Sequence, residues 1–75
     1  MFSMTIQLRT IADVKEFVRI VNGYEFDIDL SSGRYVVDAK SIMGIFSLDL
    51  GKPLRVDVRE TSCGALLEDL KPFAL

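Results

Sequence analysis

The chain has a single cysteine and no histidine among its 75 residues. One cysteine cannot close an intrachain disulfide, and without histidine Cys63 has no partner for a Cys-His zinc site or for thiol catalysis. It reads as a small, partly buried residue near a helix start. No block of lysine and arginine is present to track phosphates, which argues against direct nucleic-acid binding. Nor does any apolar run reach the length of a membrane span. Met1-Phe2-Ser3-Met4 lacks the basic and apolar segments of a signal peptide, and with an unpaired cysteine this fits the cytoplasm. A glycine-rich phosphate loop is missing too, since Ser31-Ser32-Gly33-Arg34 is too short and lies in a turn. Glu25, Asp27 and Asp29 alternate outward on a strand, an arrangement suited neither to general acid-base work nor to hard-ion geometry. No metal site, cofactor or catalytic residue is expected.

What is present describes a folded domain. Apolar residues make up 49% of the chain, charged residues 27%, and the net charge is −2. That balance is globular rather than disordered. A single domain over 1–75 is expected, close to the lower size limit for a self-sufficient core.

Hydrophobic periodicity sets the order of elements. Phe2, Met4, Ile6 and Leu8 alternate with Ser3, Thr5, Gln7 and Arg9, which predicts a first strand over 2–9. Thr10 is a candidate N-cap. Ile11, Val14, Phe17, Val18 and Val21 then follow at helical spacing, with Asp13 in the first turn and Asn22-Gly23 suited to a left-handed stop. Tyr24–Leu30 alternates again. Ser31-Ser32-Gly33 is turn chemistry, and Arg34–Asp38 returns as the other arm of a hairpin. A short helix follows over about 40–48, and Gly51-Lys52-Pro53 breaks it. Leu54–Arg59 is the last strand. Thr61 or Ser62 is placed to cap a final helix striped by Leu66, Leu67 and Leu70 and limited by Pro72. The result is an α+β chain of order β-α-β-β-α-β-α. Each strand has one apolar and one polar face, so the helices should cover one side of a four-stranded antiparallel sheet and leave the other wet.

The central segment carries a recognisable pattern. Lys40-Ser41-Ile42-Met43-Gly44, followed by Ser47-Leu48, resembles the regulatory-serine segment of the HPr family, the small histidine-phosphorylated carriers of the bacterial sugar phosphotransferase system. The resemblance runs from about Tyr24 to Val58. It implies an open-faced β-sandwich in which the last strand lies between the first and second. Arg55 and Arg59 would then face Glu25, Asp27 and Asp29 across a strand pair. It also implies phosphorylation of Ser41 by an HPr kinase, and docking of partner proteins on the face formed by Lys40, Ile42, Met43 and Phe46. Enzyme I and a transcription regulator are the other partners it suggests. Ile45 and Leu48 are expected to point inward.

The family's active loop has the form Gly-x-His-x-Arg-Pro before the first helix. Here that place holds Leu8-Arg9-Thr10-Ile11-Ala12-Asp13. Counting back from Ser41 sets Thr10 where the histidine stands. A threonine ester lacks the transfer potential of a phosphoramidate, and Asp13 would repel an incoming phosphoryl group. The expectation is a non-enzymatic HPr-like protein without phosphocarrier activity. It would bind partner proteins through the second helix, with Ser41 phosphorylation as its switch. An interaction module without phosphorylation is the alternative, and a residual phosphocarrier comes third. As for assembly, the exposed edge strand at Tyr35 allows either a monomer or a weak homodimer.

Overall fold

The computed structural model describes residues 2–75; Met1, the first residue of the expected domain, lies outside the described residues. Alternating segments form the strands β1 (Phe2–Ile6), β2 (Ile28–Ser32), β3 (Tyr35–Asp38) and β4 (Leu54–Val58). Segments of helical spacing form α1 (Ile11–Val21), α2 (Ile42–Phe46) and α3 (Gly64–Leu70), and a 3₁₀ turn over Lys71–Phe73 follows. This is the expected order. The strands make one antiparallel sheet, β1-β4-β2-β3, so the last strand lies between the first and second. The fold is an open-faced α+β sandwich.

One apolar cluster fills the space between sheet and helices. Ile6, Leu30 and Val56 from the sheet, Val14, Phe17 and Val21 from α1, Ile45 from α2, and Leu66 and Leu70 from α3 are all fully buried. Each such side chain contributes roughly 1.5–3 kcal/mol by leaving water. The Phe17 ring meets Phe73 edge-on, with centroids 6.2 Å apart. Behind it the chain returns to β1. Gln7 N donates to Phe73 O at 2.9 Å, Leu75 N donates to Thr5 O at 3.1 Å, and Ile6 bridges Ala74.

On the wet face the register sets Ser3, Asp57, Asp29 and Asp38 in one row across the four strands. Like charges directly opposite repel, and arginines above and below offset this. Arg59 reaches Asp29 at 2.7 Å as expected, and the paired carboxylate strengthens its hold on the proton. Arg55 instead bonds Asp57 of its own strand at 3.1 Å. Ser3 Oγ donates to Asp57 Oδ1 at 2.5 Å. Glu25 and Asp27 precede β2, because β4 ends at Val58, opposite Ile28, although Asp27 O still accepts from Arg59 N at 3.0 Å.

Several local expectations shift. β1 stops at Ile6, where the returning chain takes over pairing, although Leu8 stays buried. Ser31 and Ser32 belong to β2, so the hairpin loop is Gly33-Arg34, with Gly33 at φ +59°. Positive φ at the first loop position is the II′ arrangement that matches strand twist. Asn22 ends α1 at φ −69°, not left-handed, and the turn closes through Gly23 N to Ile20 O at 3.0 Å. Ile11, expected on the buried stripe, is 64% exposed at the first helical position. Neither Thr61 nor Ser62 caps α3. Cys63 takes that position without a side-chain bond, because its thiol side is buried in the core.

Candidate functional site

Two helix starts carry the candidate residues. At α1, Thr10 is extended and exposed, and its Oγ1 accepts from Asp13 N at 3.0 Å. Asp13 Oδ2 accepts in turn from Arg9 N at 2.9 Å. This reciprocal pair resembles a capping box, shifted back by one residue. It places a carboxylate among the amides that an anion would need. Further along the helix lies Glu16. The hydrogen-bonded Arg19 guanidinium holds its carboxyl below the usual range.

At α2, Ser41 is extended and exposed, and its Oγ accepts from Gly44 N at 3.3 Å. Its amide donates to Asp38 O and its carbonyl accepts from Ile45 N. No acidic residue stands in the first turn. Here the same kind of cap opens a helix that brings no acid of its own, and the carboxylate at its start, Asp38 on the Lys40 amide, comes from β3.

The rest of the central motif divides into scaffold and surface. Lys40 is half-buried, and its Nζ donates to Tyr24 O at 2.6 Å. Its amide donates to Asp38 Oδ1 at 2.9 Å, and its carbonyl accepts from Asn22 Nδ2 at 3.4 Å. Lys40 thus ties the start of α2 to the end of α1. Ile42 is half-buried against the core. Gly44 lets α2 approach β3, since a Cβ there would lie 3.2 Å from Val37 Cβ. Ile45 and Leu48 are buried as expected, and Ser47 Oγ donates to Gly44 O at 2.5 Å. Two side chains play no such structural part, with Met43 77% exposed and Phe46 43%. A polarizable thioether and an aromatic ring on one short helix suit an adaptable contact surface.

The anchoring role of Lys40 and the close approach at Gly44 leave no local mark in the sequence, because both depend on partners distant in the chain. Helical spacing assigned Ile11 to the core, yet it stands exposed beside Thr10. A groove of about 840 Å³ runs between α1 and the C-terminal elements, past Asp13, Tyr24 and Asp69. The Tyr24 hydroxyl donates to Asp69 Oδ2 at 2.8 Å, and this bond raises the phenol's pKa above its ordinary value. The groove shares no residue with α2. Among the described residues, no cluster of histidine, cysteine and carboxylates could hold a metal ion. Nor is any helix among them long and apolar enough to cross a membrane.

The family model for the PTS HPr component phosphorylation site matches residues 6–68 of the chain. Among solved structures, the chain is similar to a phosphocarrier protein HPr from Bacillus anthracis str. Ames, with a TM-score of 0.79 and 25% sequence identity. That match covers 99% of this chain and 96% of the other. It is also similar to HPr-C-His from Thermoanaerobacter tengcongensis, with a TM-score of 0.80 and 23% identity over 93% of this chain and 86% of the other. No curated protein sequence matches the chain.

Proposed function

The chain belongs to the HPr family of the phosphotransferase system, and on that premise we propose that it acts as a protein-binding, regulatory member and not as a phosphoryl carrier. A carrier of this family needs an imidazole nitrogen to accept the phosphoryl group, and the chain contains no histidine. Thr10, which counts into that position, has its hydroxyl engaged as a helix cap. The other candidate acceptor at that helix start, the Asp13 carboxylate, is held by the Arg9 amide, and no catalytic residue is assigned. The domain, taken as 1–75, works in the cytoplasm on partner proteins, without a cofactor.

Docking takes place on α2 through Met43 and Phe46, with Ile42 behind them and Lys40 fixing the helix in place. Ser41 is the switch, and an HPr kinase is its modifying partner. Enzyme I or a transcription regulator is the class of protein that reads the surface. Phosphorylation would exchange a neutral hydroxyl cap for a charged acceptor at a helix whose first turn carries no acid. The observation that carries the reading is a histidine-free chain whose central motif keeps two exposed apolar residues without a scaffold role.

The test has two arms. With phosphoenolpyruvate and enzyme I, no acid-labile phosphoryl species should form; one that did form would overturn the reading. With HPr kinase and ATP, the mass should rise by one phosphoryl group, and Ser41→Ala should abolish the rise. A second reading, an interaction module without phosphorylation, is favoured by the capping bond from Gly44 N to Ser41 Oγ. It predicts no mass gain while Met43→Ser and Phe46→Ser still weaken partner binding.

A further inference from the structure

The two edges of the sheet are not equally protected. β1 is closed at one end by the bridge from Ile6 to Ala74 and its flanking backbone bonds. Among the described residues β3 pairs only with β2. It carries no proline or lysine, the residues that commonly blunt an edge. Tyr35 is 74% exposed and Val36 62%. Ladder geometry then fixes which backbone groups face outward. The two-residue loop joins Ser32 to Tyr35, and bonded and non-bonded pairs alternate from there. Val36 therefore turns its amide and carbonyl to the free edge.

Charge supplies the second observation. In the acidic row of the wet face, Asp57 has Arg55 and Asp29 has Arg59. Asp38, at the open end, has no cation among the described residues; one of its oxygens accepts only the Lys40 amide. Arg34, exposed at the other end of the same edge, forms no ion pair among them either. Arg34 lies in the hairpin loop and Asp38 at the far end of β3, and the two form no ion pair with each other.

We propose that β3 is the contact of a weak symmetric homodimer, in which a second copy of this chain pairs antiparallel about Val36. Val36 then faces Val36 of the second copy through outward-facing backbone groups. Arg34 of each copy, in the loop just before β3, then comes beside Asp38 at the end of the other's β3. Tyr35 of each stands opposite Val37 of the other, on the face that carries the helices. The isologous rule is met, because each contact occurs twice. A slip of two residues in either direction sets Arg34 or Asp38 opposite Val36 and loses both charge pairs. A slip of one sets outward-facing backbone against inward-facing backbone and reverses the faces. Pairing through β3 does not depend on what α2 binds.

Sedimentation equilibrium of the full chain tests it, at concentrations up to about 1 mM as a small interface requires. The wild type should associate in a concentration-dependent way, and more weakly in high salt. Arg34→Asp alone and Asp38→Arg alone should each raise the dissociation constant roughly tenfold or more. Mixing these two variants should restore association, because each then meets its opposite charge in both pairs. Val36→Pro removes an outward amide and should leave a folded monomer by circular dichroism. A wild type that stays monomeric throughout would overturn the proposal, as would single variants that associate like the wild type or a mixture that gains nothing.

Discussion

At the start of α1, Thr10 accepts a hydrogen bond from Asp13 N at 3.0 Å; at the start of α2, Ser41 accepts one from Gly44 N at 3.3 Å. Both caps are hydroxyls on extended residues, and both are exposed. The difference lies at the third residue after each cap. At that place α1 has Asp13, bonded back to Arg9 N, and α2 has the neutral Gly44. A helix start attracts anions through its free amides and its dipole. Asp13 supplies that anion from within, so the first site is already satisfied. The second has a neutral first turn, and the carboxylate on the amide before its cap, Asp38, comes from β3 and not from the helix. A cap residue alone therefore says little about anion binding; the charge of the first turn decides.

The largest effect on either helix is expected from inside α2. Ile45→Ala should destabilise the protein by about 2–5 kcal/mol, because it empties a fully buried site. Phe46→Ala, next to it, should stay within about 0.5 kcal/mol, as surface positions usually do. Urea unfolding of both variants measures the contrast. Equal losses would mean that Phe46 belongs to the scaffold, and the docking surface would shrink to Met43.

Lys40 comes next, since it joins the two helices. Lys40→Met keeps the stem and removes the ammonium that bonds Tyr24 O. A hydrogen bond from a charged group is worth roughly 1.5–3 kcal/mol, so a loss of that order is expected in the same unfolding experiment. A lysine serving only as a docking cation would leave stability unchanged. The smallest effect comes from the caps themselves. Thr10→Ala should cost about 1 kcal/mol. Ser41→Ala should cost nearer 0.5 kcal/mol, at the low end for caps, because its bond is longer and its helix shorter. Thermal melts that reverse this order would show that α2 depends on its cap more than α1 does.

Much of this arrangement was legible from periodicity. Period two found the faces of the strands, and helical spacing placed Val14, Phe17, Ile45, Leu66 and Leu70 in the core. Hydroxyl residues before apolar runs marked both caps that form. What failed was set by distant partners. The start of β2 is fixed by the end of β4, thirty positions later, so Tyr24–Phe26 alternate outside the ladder and Asp27 adds only a backbone bond from Arg59 N. Cys63 displaced Thr61 and Ser62 because burial, not capping chemistry, decided the geometry before α3. Within the candidate site, Ser41, Met43 and Phe46 were found on an exposed helix as the motif suggested. The Lys40 anchor was not, since nothing local points its ammonium at the Tyr24 carbonyl.

The Asn22–Lys40–Tyr24 bonds have a consequence for reach. They fasten the start of α2 to the far end of α1, while Thr10 stands at the near end. From Thr10 to Asn22 the helix rises on the order of 18 Å. Helix α1 is thus a rigid ruler between the two hydroxyls. A small anion can sit at only one of its marks. A molecule that senses Thr10 and Ser41 together must span a distance of that order.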